Sequence, residues 1–240
     1  MLLRFDNIYA GYDGSDVLKG VSIDVEEGTT TCIVGPNGAG KSTVLRVLSG
    51  LLRPRKGDIL FEDRSLVGLD PRQILELGIV QVPQSHSLFP TMTVQQNVRL
   101  GAYTLRDSSL IERRLHEVEE MFPVVKTRAR DKAGSLSGGQ QRLVEFARCL
   151  MLNPRIILLD EPSMGLDPKT FKLVIDTIKV MQSKGRTILL VEQNARTGLS
   201  ISTTGVVLES GQVRLVGPHT EILNNPEIGR LYLGGTLTKA

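Results

Sequence analysis

Gly35-Pro36-Asn37-Gly38-Ala39-Gly40-Lys41-Ser42 has the spacing G-x-x-x-x-G-K-[ST], in which backbone N–H groups cradle the phosphates of a nucleoside triphosphate. The glycines at 35, 38 and 40 let the backbone approach oxygen atoms closely and take positive φ. Lys41 can reach the β- and γ-phosphates, and Ser42 offers a hydroxyl to Mg²⁺. A helix expected from Thr43 onward adds free N–H groups and its positive dipole end. The bland alternative is a glycine-rich turn. The Lys-Ser pair and the apolar run before the loop count against it.

Leu136-Ser137-Gly138-Gly139-Gln140 offers a second anion site. Ser137 is placed as the N-cap of a long amphipathic helix, and the two glycines leave the helix start bare. Within one monomer this patch has nothing to bind. Laid over the γ-phosphate held by a second, similar subunit, it becomes a lid. The expectation is ATP bound as half of a head-to-tail sandwich. Taken alone, the pentapeptide is equally an ordinary glycine turn.

Ile156-Ile157-Leu158-Leu159-Asp160-Glu161 supplies the acids. An apolar strand ends in Asp160, whose carboxylate suits an indirect contact to Mg²⁺. Glu161 follows at the strand tip, where it can orient or deprotonate an attacking water. Without the glycine loop, solvated acids at a strand end would be the simpler reading.

The elements that must position these groups follow from periodicity. Residues 2–8 and 17–25 alternate as strands of a half-exposed antiparallel sheet. Residues 29–34 form a short β-rich run ending at Gly35, and 43–49 a helix, so the loop has a strand before it and a helix after it. Residues 79–83 read as another strand. From about 88 to 152 the pattern turns helical, with Ile111, Leu115, Val118 and Phe122 on one stripe and Leu143, Phe146, Ala147, Leu150 and Met151 on a second. Strands at 156–159 and 187–191 are nearly all apolar, as buried parallel strands are, and a helix over 168–183 separates them. Residues 205–209 and 212–216 form a hairpin around Ser210-Gly211. The fold class is α/β: one unit over 1–240 with a doubly wound parallel core, an antiparallel N-terminal β-subdomain and an inserted helical subdomain at about 88–152.

Composition narrows the partners. The 240 residues carry a net charge of only +3, and aromatics are 4% with no Trp, which argues against a nucleic-acid surface. Cys32 and Cys149 lie among apolar residues and read as buried thiols of a reducing compartment. His86, His116 and His219 are too far apart for metal spacing. The N-terminus lacks a signal-peptide pattern, and no apolar run is long enough to span a membrane. A cytoplasmic chain is expected, meeting a membrane only through a partner.

The ordered set Tyr12, Gly35 to Ser42, Gln84, Leu136 to Gln140, Asp160-Glu161, Gly165-Leu166-Asp167 and Gln193 resembles the ATP-binding cassette ATPases, members of the P-loop NTPases, over nearly the whole chain. The resemblance implies that Tyr12 stacks on adenine and that Gln84 contacts Mg²⁺ and the membrane subunit. It implies that Asp167 couples the two sites of a dimer, and that the helical lobe accepts a coupling helix of the permease. ATP and Mg²⁺ are the implied ligands. The implied partners are a second cassette ATPase and two membrane-spanning permease subunits, with an extracytoplasmic solute-binding protein reached indirectly. The implied location is the cytoplasmic face of the inner membrane, held peripherally through the permease. Fused double cassettes or a coiled-coil insertion, usual in soluble cassette ATPases, are absent from these residues.

One residue departs from the family pattern. Where a histidine usually touches the γ-phosphate, this chain has Gln193, which donates a hydrogen bond but cannot take up a proton. Either this chain's own site is attenuated and a different ATPase partner turns over, or Glu161 suffices and the amide replaces the imidazole's contact. Val191-Glu192-Gln193-Asn194, Pro83-Gln84 with residues 88–94, and Tyr232-Leu233-Gly234 resemble the shorter ATPase of the branched-chain amino acid importers. Importers of urea or short amides are similar.

Overall fold

The computed structural model describes residues 1–84, 87–226 and 228. His86 and the Tyr232-Leu233-Gly234 motif lie outside the described residues.

Strand β1 (Leu3–Tyr12) alternates, burying Leu3, Phe5, Ile8 and Ala10. It pairs antiparallel with β2 (Ser15–Val25). Both strands run further toward their shared turn than the alternation alone marks. Asp13 and Gly14 both take positive φ, the two-residue turn that matches strand twist. That turn brings Tyr12 to the strand end. Strand β3 (Thr30–Val34) is buried throughout and leads through the glycine loop into helix α1 (Lys41–Leu48). Strands β4 (Lys56–Phe61) and β5 (Arg64–Ser65) complete a sheet of order β2-β1-β4-β5. Neither was expected from the sequence. Gly57 breaks the alternation at the start of β4, where a Cβ would come within 2.4 Å of the Asn7 carbonyl on β1.

After α2 (Pro71–Glu76) and β6 (Ile79–Val82) come α3 (Val94–Arg99), α4 (Ser108–Met121), α5 (Pro123–Thr127) and α6 (Gly138–Leu150). The chain closes with β7 (Ile156–Asp160), α7 (Pro168–Ser183), β8 (Thr187–Glu192), α8 (Ala195–Ser200), β9 (Thr204–Glu209), β10 (Gln212–Pro218) and α9 (His219–Asn224). The second sheet has the order β10-β9-β3-β8-β7-β6, parallel except for the β9–β10 hairpin, whose Ser210 and Gly211 both have positive φ.

Its side chains alternate between two cores. Ile33, Leu158, Leu189 and Val191 face α1 and the antiparallel sheet. Cys32, Val34, Ile157, Leu159 and Leu190 face the other way, into one continuous core with Val94, Val98, Leu115, Val118 and Phe122 of the helical segment. Each large apolar side chain buried here stabilises by roughly 1.5–3 kcal/mol. Both cysteines are free and buried, and burial pushes the Cys149 thiol up to about 12. Helix α6 differs from its apolar-stripe reading in one respect. Leu143 is only partly buried, while the charged Arg142 and Glu145 are fully buried, because the helix is enclosed on more than one face.

Among the described residues, no helix is long and apolar enough to cross a membrane.

Candidate functional site

Register places the loops. Val34 pairs with Glu192, Asp160 with Val191 and Val82 with Leu159, so β3, β8, β7 and β6 end along one edge. The glycine loop, Gln193, Glu161 and Gln84 leave from those four ends. In an open parallel sheet, this carboxyl-end crevice is where ligands bind.

The loop hugs the sheet. A Cβ at Gly35 would stand 2.1 Å from the Leu208 carbonyl oxygen, so only glycine turns here. Gly38 and Gly40 have φ of 80 and 105°. Ala39 closes a turn by donating to the Pro36 carbonyl at 3.1 Å, and Asn37 lies within that turn. Gly40 gives α1 no side-chain cap, so the first-turn N–H groups of Lys41, Ser42 and Thr43 have no intrahelical acceptors, and all three residues line the cavity beside the loop. Lys41 is buried and folds back over the loop. Its Nζ donates to the Gly35 carbonyl at 2.9 Å and to the Pro36 carbonyl at 3.1 Å, and lies 3.4 Å from Glu161 Oε1.

Ser42 Oγ donates to Asp160 Oδ1 at 3.3 Å. Burial pushes the Asp160 carboxyl above the usual range, and the Ser42 hydrogen bond opposes this. Glu161 has a φ of 43°, left-handed for a non-glycine residue, and its N–H donates to the Val191 carbonyl at 3.0 Å. Such backbone strain clusters at working sites. Its Oε2 accepts from Gln84 Nε2 at 3.1 Å. Asn37, Lys41, Ser42, Gln84, Glu161 and Gln193 line one open cavity of about 430 Å³.

Three sequence-marked groups stand apart from that cavity. Tyr12 is half-exposed, and its hydroxyl accepts from Arg46 Nη1 at 3.1 Å. The Arg46 guanidinium lies 5.9 Å from the Tyr12 ring centroid. Ser137 caps α6 in a reciprocal box: its hydroxyl accepts from the Gln140 N–H at 3.4 Å, and Gln140 Oε1 accepts from the Ser137 N–H at 3.1 Å. Leu136 is buried, and a Cβ at Gly139 would press on Thr170 of α7, 2.9 Å from its hydroxyl. A Cβ at Gly138 would meet nothing within 4 Å. Asp167 caps α7, accepting from the Lys169 and Thr170 N–H groups at 3.0 and 3.2 Å. The Thr170 hydroxyl and these N–H groups hold its carboxyl below the usual range.

A family model described as ABC transporter matches residues 18–164. The high-affinity branched-chain amino acid transport ATP-binding protein BraG of Pseudomonas aeruginosa is 36% identical over 98% of this chain and 100% of its own length. The chain belongs to the ABC transporter family. The crystal structure of the ADP conformation of MJ1267, an ATP-binding cassette of an ABC transporter, superposes with a TM-score of 0.85 at 30% identity over 98% of this chain and 99% of that one. The dimeric, post-hydrolysis cassette MJ0796, bound to ADP and Pi, has a TM-score of 0.77 at 28% identity, covering 91% and 99%. The chain is thus an ABC ATPase, a class that binds and hydrolyses ATP, and its fold is that of the cassettes.

For Mg²⁺, the donors of this ABC cassette fit a hard cation that keeps several waters. They are the Ser42 hydroxyl beside the Asp160 carboxylate, with the Gln84 amide at the same cavity. Among the described residues no three His, Cys, Asp or Glu side chains cluster, so oxygen atoms of the substrate would complete the shell.

Sequence reasoning missed several groups here. Met164 lines the cavity, and its sulfur accepts from Gln84 Nε2 at 3.1 Å. Glu192, buried at the end of β8, accepts from the Ser163 N–H at 3.1 Å, and burial raises its carboxyl. The signal for Glu192 was present: a lone acid ends an otherwise apolar run, as Asp160 does on β7. Arg46 had no such signal, because its helical periodicity marks only an exposed cation.

Proposed function

We propose that this chain is the ATP-binding and ATP-hydrolysing subunit that energises import of branched-chain or other hydrophobic amino acids across the inner membrane. The observation that supports it most is the position of Glu161, 3.4 Å from Lys41 and 3.1 Å from Gln84 at the mouth of the glycine loop. The solute class rests on the full-length likeness to BraG.

In this reading, Lys41 exchanges its carbonyl contacts for the β- and γ-phosphate oxygens, and the N–H groups of the loop and of Thr43 cradle them. Ser42, Asp160 and Gln84 would hold Mg²⁺, which when bound neutralises charge on the phosphate oxygens. Glu161 accepts a proton from the attacking water. Gln193 donates its amide hydrogen bond at the γ-phosphate, so Glu161 alone acts as base. Tyr12 takes the adenine on its exposed face. Leu136 to Gln140 act in trans: Ser137 and the open Gly138 approach the γ-phosphate held by the partner cassette. Asp167 couples the two sites. The partner is a different ATPase that keeps the histidine.

An apolar groove of about 510 Å³ lined by Leu75, Val80, Phe89, Leu100 and Tyr103 suits the permease's coupling helix. Asn97 shapes its rim, accepting from the Phe89 N–H at 2.8 Å and donating to the Phe89 carbonyl at 3.0 Å, with the ring left exposed. Contact through this groove makes the chain peripheral at the cytoplasmic face.

The test is an affinity pull-down of the tagged chain from mild-detergent extracts of its own cells. The expected co-purifying proteins are a second ABC ATPase and two multi-spanning permeases, with ATPase turnover stimulated by a branched-chain amino acid and its binding protein. Recovery of only soluble partners would withdraw the importer reading.

A further inference from the structure

Glu145 is 0% and Arg142 3% exposed, and they pair at 2.8 Å one turn apart on α6. Neither lines the cavity of Glu161. A buried ion pair is poor packing material: apolar residues of similar volume usually stabilise as much or more. The pair is better explained by what it holds outside its own helix.

Among the described residues, the outward hydrogen bonds of this face of α6 land beside Gln84. Arg142 Nη1 donates to the Pro83 carbonyl at 2.8 Å. Glu145 Oε1 accepts from the Ser87 N–H at 2.6 Å and from the Ser87 hydroxyl at 3.3 Å. Arg148, a turn further along α6, donates to the Ser87 carbonyl at 2.8 Å and to the Ser87 hydroxyl. Among the described residues Arg142 Nη2 meets no acceptor, so the Nη1 bonds fix the guanidinium, which lies over the Phe146 ring. The backbone is therefore gripped one residue before Gln84 and three residues after it. Gln84 in turn donates to Glu161.

We propose that Arg142, Glu145 and Arg148 are positioning residues that set where Gln84 meets Glu161, and so tie the Ser137 end of α6 to this chain's own ATP site. This rests on the reading of Glu161 and Gln84 given above. A lid contact made by Ser137 with a partner's nucleotide shifts α6. The shift reaches Pro83 and Ser87 through charge-assisted bonds rather than through soft apolar contacts. One cassette then senses, in the position of Gln84, whether its lid is engaged. The simpler role, a staple that only stabilises the fold, makes a different prediction.

The test is a double-mutant cycle on kcat, made in the co-purified assembly with the partner ATPase's site disabled. Arg148→Ala leaves no buried charge unpaired, because Arg148 is only half-buried. Glu145→Gln is nearly isosteric and lies away from the apolar groove. Each is expected to lower kcat roughly tenfold, the order seen when a supporting shell is lost. Mg²⁺-free ATP affinity stays at the parental value, and Arg148→Lys recovers part of the loss. In a Gln84→Ala background either change adds less than about twofold, because the effect passes through Gln84. Losses that multiply fully with Gln84→Ala, or a fall in ATP affinity, would overturn the proposal and leave a stabilising staple. Unchanged kcat in Gln84→Ala alone would overturn it together with the reading of Gln84. If Glu145→Gln does not fold, Arg142→Lys takes its place, because Arg148 also lines the apolar groove and its variants report on permease contact as well.

Discussion

Lys41→Ala is expected to weaken ATP binding by roughly 100–1000-fold, from about 3–4 kcal/mol of charged contacts to the β- and γ-phosphates. In this structure Lys41 Nζ is held at the loop by two carbonyl oxygens and Glu161. The ammonium is thus desolvated before nucleotide arrives, and its bonds transfer rather than form anew. The loop should survive the substitution, because its shape depends on the close approach of Gly35 to Leu208 and on the positive φ of Gly38 and Gly40. Titration with a fluorescent ATP analogue checks this, with thermal unfolding as the control for folding. Unaltered affinity in a folded Lys41→Ala chain would contradict the site.

The second large effect is on turnover. Glu161→Gln keeps the side chain's size and an oxygen to accept from Gln84, but removes the group that takes the water's proton. General-base loss costs about 10²–10⁴-fold. Turnover should fall by that order while ATP stays bound, and closed dimers should accumulate. The measurement belongs in the assembly whose other ATPase is disabled, so that only this site is counted. Full turnover there would show that Glu161 is not the base, and would reopen the question of what Gln193 contributes.

Legibility in the sequence followed the range of the interaction. The glycine loop is local: spacing, Lys41 and Ser42 together specify it, and an apolar strand before it completes the context. The buried strands β7 and β8 were legible as apolar runs, and the N-terminal pair as alternation. Strand β4 was not, because its identity depends on pairing with β1, where Gly57 lets the chains close on the Asn7 bulge. The fold class, a parallel core with an antiparallel sheet and inserted helices, could be read because each layer has its own periodicity. That Glu161, Gln84 and Gln193 share a cavity follows only from strand order, which no single element encodes.

The α6 network was the least legible. On a helical wheel Arg142, Glu145 and Arg148 read as a solvated charged face at i, i+3 and i+6. Arg142 and Glu145 are buried and Arg148 half-buried, and the backbone groups of Pro83 and Ser87 bond to that face across 58 to 61 positions of sequence. Periodicity describes one helix and cannot see what covers it. The same reasoning explains Ser137 and Gly138. The capping role of Ser137 was readable, whereas the open space beside Gly138, which the proposed trans contact would fill, is not encoded in the helix itself.

The sandwich is tested most directly by vanadate-dependent photocleavage. With ATP, Mg²⁺ and vanadate the assembly is trapped after hydrolysis, and ultraviolet light cuts backbone adjacent to the vanadate held at the γ-phosphate position. Mapping the fragments of this chain should show two vanadate-dependent cuts, one within Gly35 to Ser42 and one within Leu136 to Gln140. Both are expected whether the partner is a second copy or a different cassette, since in the proposed sandwich this chain gives its loop to one nucleotide and its lid to the other. A cut at the loop alone would contradict the trans role of Ser137 and Gly138, and no cut at the loop would contradict the ATP site itself.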